Sequence, residues 1–224
     1  MNIFDIMGPI MVGPSSSHTA GAVRIGLMAR QLLKDNPMKA EIGLFGSFAT
    51  TGYGHGTQQA IIAGLLNMEP QDIRIPKSFE LAREQGLNFE FHTVSLNNAH
   101  PNSVLMNLTG TNGRELEIQA SSIGGGQIVI NKLDGITVNF SGDKPTLIIH
   151  NMDQPGHVAE VTSMLSHKSI NIATMQLYRD KRGGYAVMVL ELDQTVPEDS
   201  IKWLEHLEGV IKVTYINGGM ENGI

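Results

Sequence analysis

The chain has 224 residues, 41% of them apolar and 17% charged, with a net charge of −6. That is the balance of a folded globular protein, with room for one large domain or two small ones. No basic run stands out, which argues against nucleic acid as a partner, and the lack of any cysteine excludes disulfides and a thiolate-held metal cluster on this chain.

The first residues carry Asp5 and no basic residue ahead of their apolar part, a poor signal peptide. No apolar run reaches membrane-spanning length, so a soluble, cytoplasmic protein is expected. Ala22, Ile25, Ala29, Leu32 and Leu33 follow the helical period and predict a helix over 19–33, ended by Asp35-Asn36-Pro37. A strand over 41–48 runs into the glycine-rich stretch 51–56, and a second helix spans 57–67. After residue 87 the pattern is that of strands. Val104, Met106 and Leu108 alternate with polar residues, as do Leu116, Ile118 and Ala120, and then Ile136, Val138 and Phe140. Thr111-Asn112-Gly113 between the first two is a hairpin signal.

Ser141 to Pro145 holds only turn chemistry and marks the expected boundary between domains at 1–141 and 146–218. Beyond it a strand at 146–150 leads to a helix at 156–168, with Val158, Val161 and Leu165 inward. Strands follow at 170–179 and 185–192. Thr195-Val196-Pro197-Glu198 reads as a capping box for a helix carrying Ile201, Leu204 and Leu207, which Gly209 stops before a last strand at 210–216. The order βαββαβ is the ferredoxin-like arrangement, and the whole chain is read as α+β.

Four loops of the first domain concentrate polar residues and glycine. Gly13-Pro14-Ser15-Ser16-Ser17-His18-Thr19 precedes the first helix. It suits either a hydroxyl cap or an anion held at the helix N-terminus; the glycine–lysine pattern of a nucleotide phosphate loop is missing. Gly46 to Thr57 sets His55 between Gly54 and Gly56, where a neutral imidazole can serve as a general base. Ala99-His100-Pro101-Asn102-Ser103 and Ser121 to Gln127, with Gly124, Gly125 and Gly126, are the other two. Each alone reads best as an ordinary turn; four in one domain suggest a shared site. No histidine pair has metal-binding spacing.

In this order GPSSSHT, GSFATTGYGHGT, AHPNS and SIGGGQI resemble the β chain of iron–sulfur-dependent L-serine dehydratase. The tail, IIHNMDQPGHVAEV within βαββαβ, resembles an ACT domain close to the regulatory end of D-3-phosphoglycerate dehydrogenase. The first domain is similar to that enzyme's allosteric-substrate-binding type, an α/β unit. The resemblance implies deamination of L-serine to pyruvate and ammonia, with a 4Fe-4S cluster on a separate α chain and no metal on this one. It also implies carboxylate binding by Ser15, Ser16, Ser17 and Thr19 together with His18. His55 is the expected base with His18 as its rival, and His100 and Asn102 support the substrate. Asn151, Gln154 and Gly156 would hold a regulatory amino acid, and two copies would pair through the ACT domain. The competing reading is a stand-alone amino-acid-binding regulatory protein.

Overall fold

The computed structural model describes residues 12, 13 and 15–218; Pro14 of the first motif and the expected absence of a leader around Asp5 lie outside the described residues. The chain divides into two compact units between Gly135 and Ile136, so the 141–145 turn falls inside the second.

In the first unit a single turn of π-helix, Ser16–Ala20, runs directly into helix α1, Gly21–Leu33. Strand β1, Pro37–Gly46, follows, then a four-residue helix α2, Ser47–Thr50, a 3-10 turn, Gly52–His55, and helix α3, Thr57–Leu65. Helix α4, Ser78–Glu84, was not signalled by period, because its seven residues bury only Ser78 and Ala82. Strands β2 (Asn88–Thr93), β3 (Asn102–Gly110), β4 (Glu115–Gly124) and β5 (Gln127–Leu133) complete the unit. They lie in the order β2-β1-β3-β4-β5. Only β1 and β2 pair in parallel; the later pairs are antiparallel.

The alternating apolar residues of these strands are the buried ones: Ile42, Met106 and Ile118 meet Ile25, Met28 and Ile61 of the helices in one core. The expected hairpin at 111–113 is present, and Asp35 fastens it. Its carboxylate accepts from the Thr111 hydroxyl at 2.8 Å and the Asn112 N–H at 2.7 Å.

Helices α1 and α3 touch backbone to backbone. A Cβ on Gly26 would lie 2.2 Å from the Ile61 carbonyl oxygen, and one on Gly64 would lie 2.1 Å from that of Val23. Neither partner is a side chain that can move aside.

The second unit holds β6 (Ile136–Phe140), β7 (Thr146–Met152), helix α5 (His157–His167), β8 (Ile172–Arg179), β9 (Tyr185–Leu192), helix α6 (Glu198–Glu205) and β10 (Val210–Ile216). From β7 onward this is the expected βαββαβ order, in a sheet β10-β7-β9-β8. Leu147, Ile149, Met188 and Leu190 of the sheet pack with Val161 and Leu165 of α5 and Leu204 of α6. Two local expectations fail. Val158 is exposed, and its neighbour His157 is buried instead. The capping box does not form: Pro197 occupies the cap, without a side-chain hydrogen bond. Proline at that point starts the helix two residues later than a Thr195 cap would require.

Gly64→Ala gains helix propensity of about 1 kcal/mol. It must also push two backbones apart, at a cost of roughly 1–3 kcal/mol for an overpacked core. Chemical unfolding of the variant is therefore expected at lower denaturant than wild type, opposite to the usual effect of alanine in a helix.

Candidate functional site

The π turn is where the first motif acts. Ser15 is extended and caps it, its Oγ accepting the His18 N–H at 3.1 Å. The Gly21 N–H closes the wider ring on the Ser16 carbonyl. Gly21 is required there, since a Cβ would fall 2.1 Å from the Ser122 Oγ of β4. Such single π turns are frequent at functional sites. Here the turn points the His18 ring at the second motif.

His18 Nε2 lies 3.0 Å from Ser47 Oγ and 3.2 Å from Thr51 Oγ1, and its Nδ1 lies 3.5 Å from Ser15 Oγ. The two hydroxyls are themselves 3.0 Å apart, and the Thr51 hydroxyl donates to the Ser47 carbonyl at 2.9 Å. Phe48, fully buried, meets the His18 ring edge-on at 5.4 Å. Burial pushes the His18 pKa below the ordinary histidine value, the neighbouring His55 adds to this, and a hydrogen bond from the imidazole to the Ser47 backbone opposes it. His18 is therefore neutral at pH 7.

His55 stands 4.9 Å from His18, ring centroid to ring centroid. Its Nδ1 faces the Thr51 carbonyl at 2.9 Å. A carbonyl only accepts, so Nδ1 carries the proton and the neutral ring keeps its lone pair on Nε2. Thr19 locks the backbone of the same turn, its hydroxyl donating to the His55 carbonyl at 3.2 Å. Gly54 and Gly56 leave open space on either side of His55.

The third motif joins through the backbone. The Ser47 N–H donates to the Pro101 carbonyl at 2.7 Å. Gly46 has φ +59, and a Cβ there would lie 2.5 Å from that same oxygen. The Asn102 N–H donates to His100 Nδ1 at 3.1 Å. The neutral His100 ring thus carries its proton on Nε2, the reverse of His55. Ser16 and Ser17 are half-buried in the π turn.

Ser47 and Thr51 were not singled out in the sequence, although both lie inside the second motif. Their spacing of four places both hydroxyls on one face of a helical turn. In the fourth motif, Gly124, Gly125 and Gly126 all have positive φ and form the β4–β5 turn. A Cβ on either of the first two would meet no atom within 4 Å, so conformation explains these glycines rather than close contact. The turn is held to α1 by Arg24, which donates to the Gly126 carbonyl at 3.3 Å.

In the second unit Asn151 ends β7, buried, with Nδ2 donating to the Met152 carbonyl at 2.7 Å and Oδ1 without a hydrogen-bond partner. Gln154 and Gly156 are exposed in the turn that follows. Asp153 braces this turn by accepting from the Gly183 N–H at 3.0 Å and Arg179 at 2.8 Å. These donors hold its carboxyl below the usual carboxylate range.

No group of three or more His, Asp or Glu side chains among the described residues is placed to hold a metal ion. No helix among them is long and apolar enough to cross a membrane.

Comparison with known proteins agrees with both halves of this description. The family described as serine dehydratase beta chain matches residues 2–85, and the ACT domain matches residues 145–205. The chain is similar to the probable L-serine dehydratase beta chain of Bacillus subtilis, at 40% identity over 215 residues, which cover 96% of this chain and 97% of that one. It is similar to the L-serine dehydratase beta chain of Peptoniphilus asaccharolyticus, at 42% identity over 87% of this chain and 88% of that one. The L-serine dehydratase TdcG of Escherichia coli is 29% identical over 80% of this chain, but the match covers only 43% of that longer protein. With relatives of 40% and 42% identity aligned over most of both chains, this chain belongs to the L-serine dehydratase beta-chain family.

Proposed function

We propose that this chain is the substrate-holding and proton-handling half of a two-chain L-serine dehydratase that converts L-serine to pyruvate and ammonia. The observation that carries the proposal is the opposed proton placement on His55 and His100, one presenting a lone pair and the other an N–H. Elimination of water from serine needs a base at Cα, donors around the carboxylate and help for the β-hydroxyl, which leaves with a proton as water while the Cα–H electron pair forms the Cα=Cβ bond. A site that fixes one ring as acceptor and another as donor is prepared for the first two tasks, and a metal on the α chain would polarise the departing hydroxyl.

His55 Nε2 takes the Cα proton. The hydroxyls of Ser15, Ser16 and Ser17, with the N–H groups at the start of the π turn, hold the carboxylate; Thr19, expected to join them, is buried and gives its hydroxyl proton to the His55 carbonyl instead. His100 Nε2 and Asn102 add donors from the third motif. Burial makes His18 a weaker base than an ordinary histidine, so it is assigned to orienting the substrate. The resulting enamine hydrolyses to pyruvate and ammonia in water.

The 4Fe-4S cluster that the family resemblance implies does not fit this chain. The sequence has no cysteine, and the described histidines and carboxylates make no metal-holding group. In this reading the cluster lies on a separate α chain. The protein would work in the cytoplasm.

The second unit serves as the regulatory end. Asn151, Gln154 and Gly156 surround a turn with one buried, unpartnered amide oxygen, which suits a small ligand carrying an ammonium group. Two copies would pair through this unit, where β8 lies at the sheet edge with Met175 and Leu177 exposed.

Replacing His55 by Gln, in complex with the α chain and with iron content unchanged, is expected to lower kcat by about 100-fold or more, as for loss of a general base; wild-type turnover would remove His55 from that role. Ser16→Ala is expected to raise the KM for L-serine several-fold, about 1 kcal/mol for one hydrogen bond, and an unchanged KM would count against the carboxylate assignment. Calorimetric titration of L-serine into the full chain carrying Ser16→Ala, which weakens the substrate site, should show a remaining heat that the further change Asn151→Ala removes. If that heat is unchanged by Asn151→Ala, the turn is structural only.

A further inference from the structure

Ser103, Ser121 and Asn131 lie on three neighbouring strands and form a polar line inside the first unit. Ser103 of β3 and Ser121 of β4 are direct register partners, and both are buried, at 0% and 2% exposure. Asn131 of β5 stands two residues beyond Val129, the register partner of Ser121, so it reaches Ser121 on the diagonal. Ser103 Oγ lies 2.5 Å from the His100 carbonyl and 2.8 Å from Ser121 Oγ, which lies 2.6 Å from the Asn131 side-chain amide.

The protons of this line can be counted. With the amide oxygen of Asn131 toward Ser121, three contacts share two hydroxyl protons, and one oxygen pair is left bare. A bare pair of buried oxygens at such distances is costly. The two ends of an amide have nearly the same shape and exchange by a half-turn. With Nδ2 toward Ser121, every contact has one donor. Asn131 donates to Ser121, Ser121 to Ser103, and Ser103 to the His100 carbonyl.

We infer that Asn131, Ser121 and Ser103 form a one-way hydrogen-bond relay that positions the 100–102 loop for the site. It rests on the serine dehydratase reading given above only for its catalytic consequence. The relay ends on the His100 carbonyl. One peptide later, the Pro101 carbonyl receives the Ser47 N–H, and Ser47 Oγ meets His18. The same loop sets the Asn102 N–H against His100 Nδ1, which keeps the proton on Nε2. Fixing one carbonyl therefore fixes the donor ring of His100 and the hydroxyl that steadies His18. All three members are positioning residues, acting through the His100 carbonyl.

Asn131→Asp keeps the size of the side chain but replaces the donor with an acceptor, so Ser121 turns its proton away from Ser103. Long-range nitrogen–proton NMR of the imidazoles, on the full chain alone, is expected to show His100 as the Nε2–H tautomer in wild type. Asn131→Asp should give a mixture of tautomers, with His55 unchanged. In the complex with the α chain, kcat/KM for L-serine should fall about tenfold or more, as for a small misplacement of reacting groups. Ser121→Ala removes the middle hydroxyl without adding charge and is the second variant, expected to give the same two changes. The relay is overturned if either variant, folded by its unfolding curve, keeps the wild-type His100 tautomer and wild-type kcat/KM. A wild-type complex without lyase activity would instead sink the dehydratase reading, while the NMR arm still decides the relay.

Discussion

The contact between Gly26 and Gly64 sets the geometry of the first unit. Two helices that touch through their backbones have no side chains between them to absorb error, so their relative position is fixed by the chain itself. Gly26 lies eight residues after His18, and Gly64 lies nine after His55. His18 lies in the π turn that runs into α1 and His55 in the 3-10 turn just ahead of α3, so each ring is carried on the N-terminal approach to one of the two touching helices. The far ends are tied as well: Arg30 of α1 donates to the Leu65 carbonyl that ends α3, at 2.7 Å.

The same convergence decides the charge state. Two imidazoles 4.9 Å apart cannot both be cationic without mutual repulsion. His18 also sits in the first turns of a long helix, whose N-terminal end disfavours a positive charge. Burial and the neighbouring ring act together on it and lower its pKa. Hydrogen bonding then decides which nitrogen keeps the proton. That is set by two backbone groups, the Thr51 carbonyl for His55 and the Asn102 N–H for His100, and not by any carboxylate.

Much of this was legible in the sequence, for identifiable reasons. The strands at 185–192 and 210–216 have the predicted ends, because glycines precede both, at 183–184 and 209, and polar turn residues follow them. The βαββαβ order followed from period alone. What escaped was conformation at short range. Phe48 reads as the end of a strand, yet it lies in a four-residue helix that begins at Ser47, because Gly46 turns the backbone at positive φ before it. That turn is what brings Ser47 and Thr51 to His18. His157 was passed over for Val158, since an apolar residue is the usual inward choice; here the imidazole packs against Gly209, where a Cβ would be only 2.8 Å away. The Ser103–Ser121–Asn131 line was invisible for another reason. Polar residues alternating along a strand read as the wet face of a sheet, and only the burial of that face shows otherwise.

The openness of the site bears on the division of labour between two chains. No atom comes within 4 Å of where side chains would stand on Gly54, Gly56, Gly124 or Gly125, and Tyr53, between Gly52 and Gly54, is 84% exposed. A base so open shares its lone pair with water and works against a high dielectric, which weakens each electrostatic contribution to an elimination. The groups that fix the proton positions are internal to this chain, whereas the exclusion of water is not. On the proposed function, the surface that covers these glycines must come with the α chain, so the boundary between the two subunits runs through the active site. A chain can then carry a fully ordered set of histidines and hydroxyls and still require its partner for chemistry.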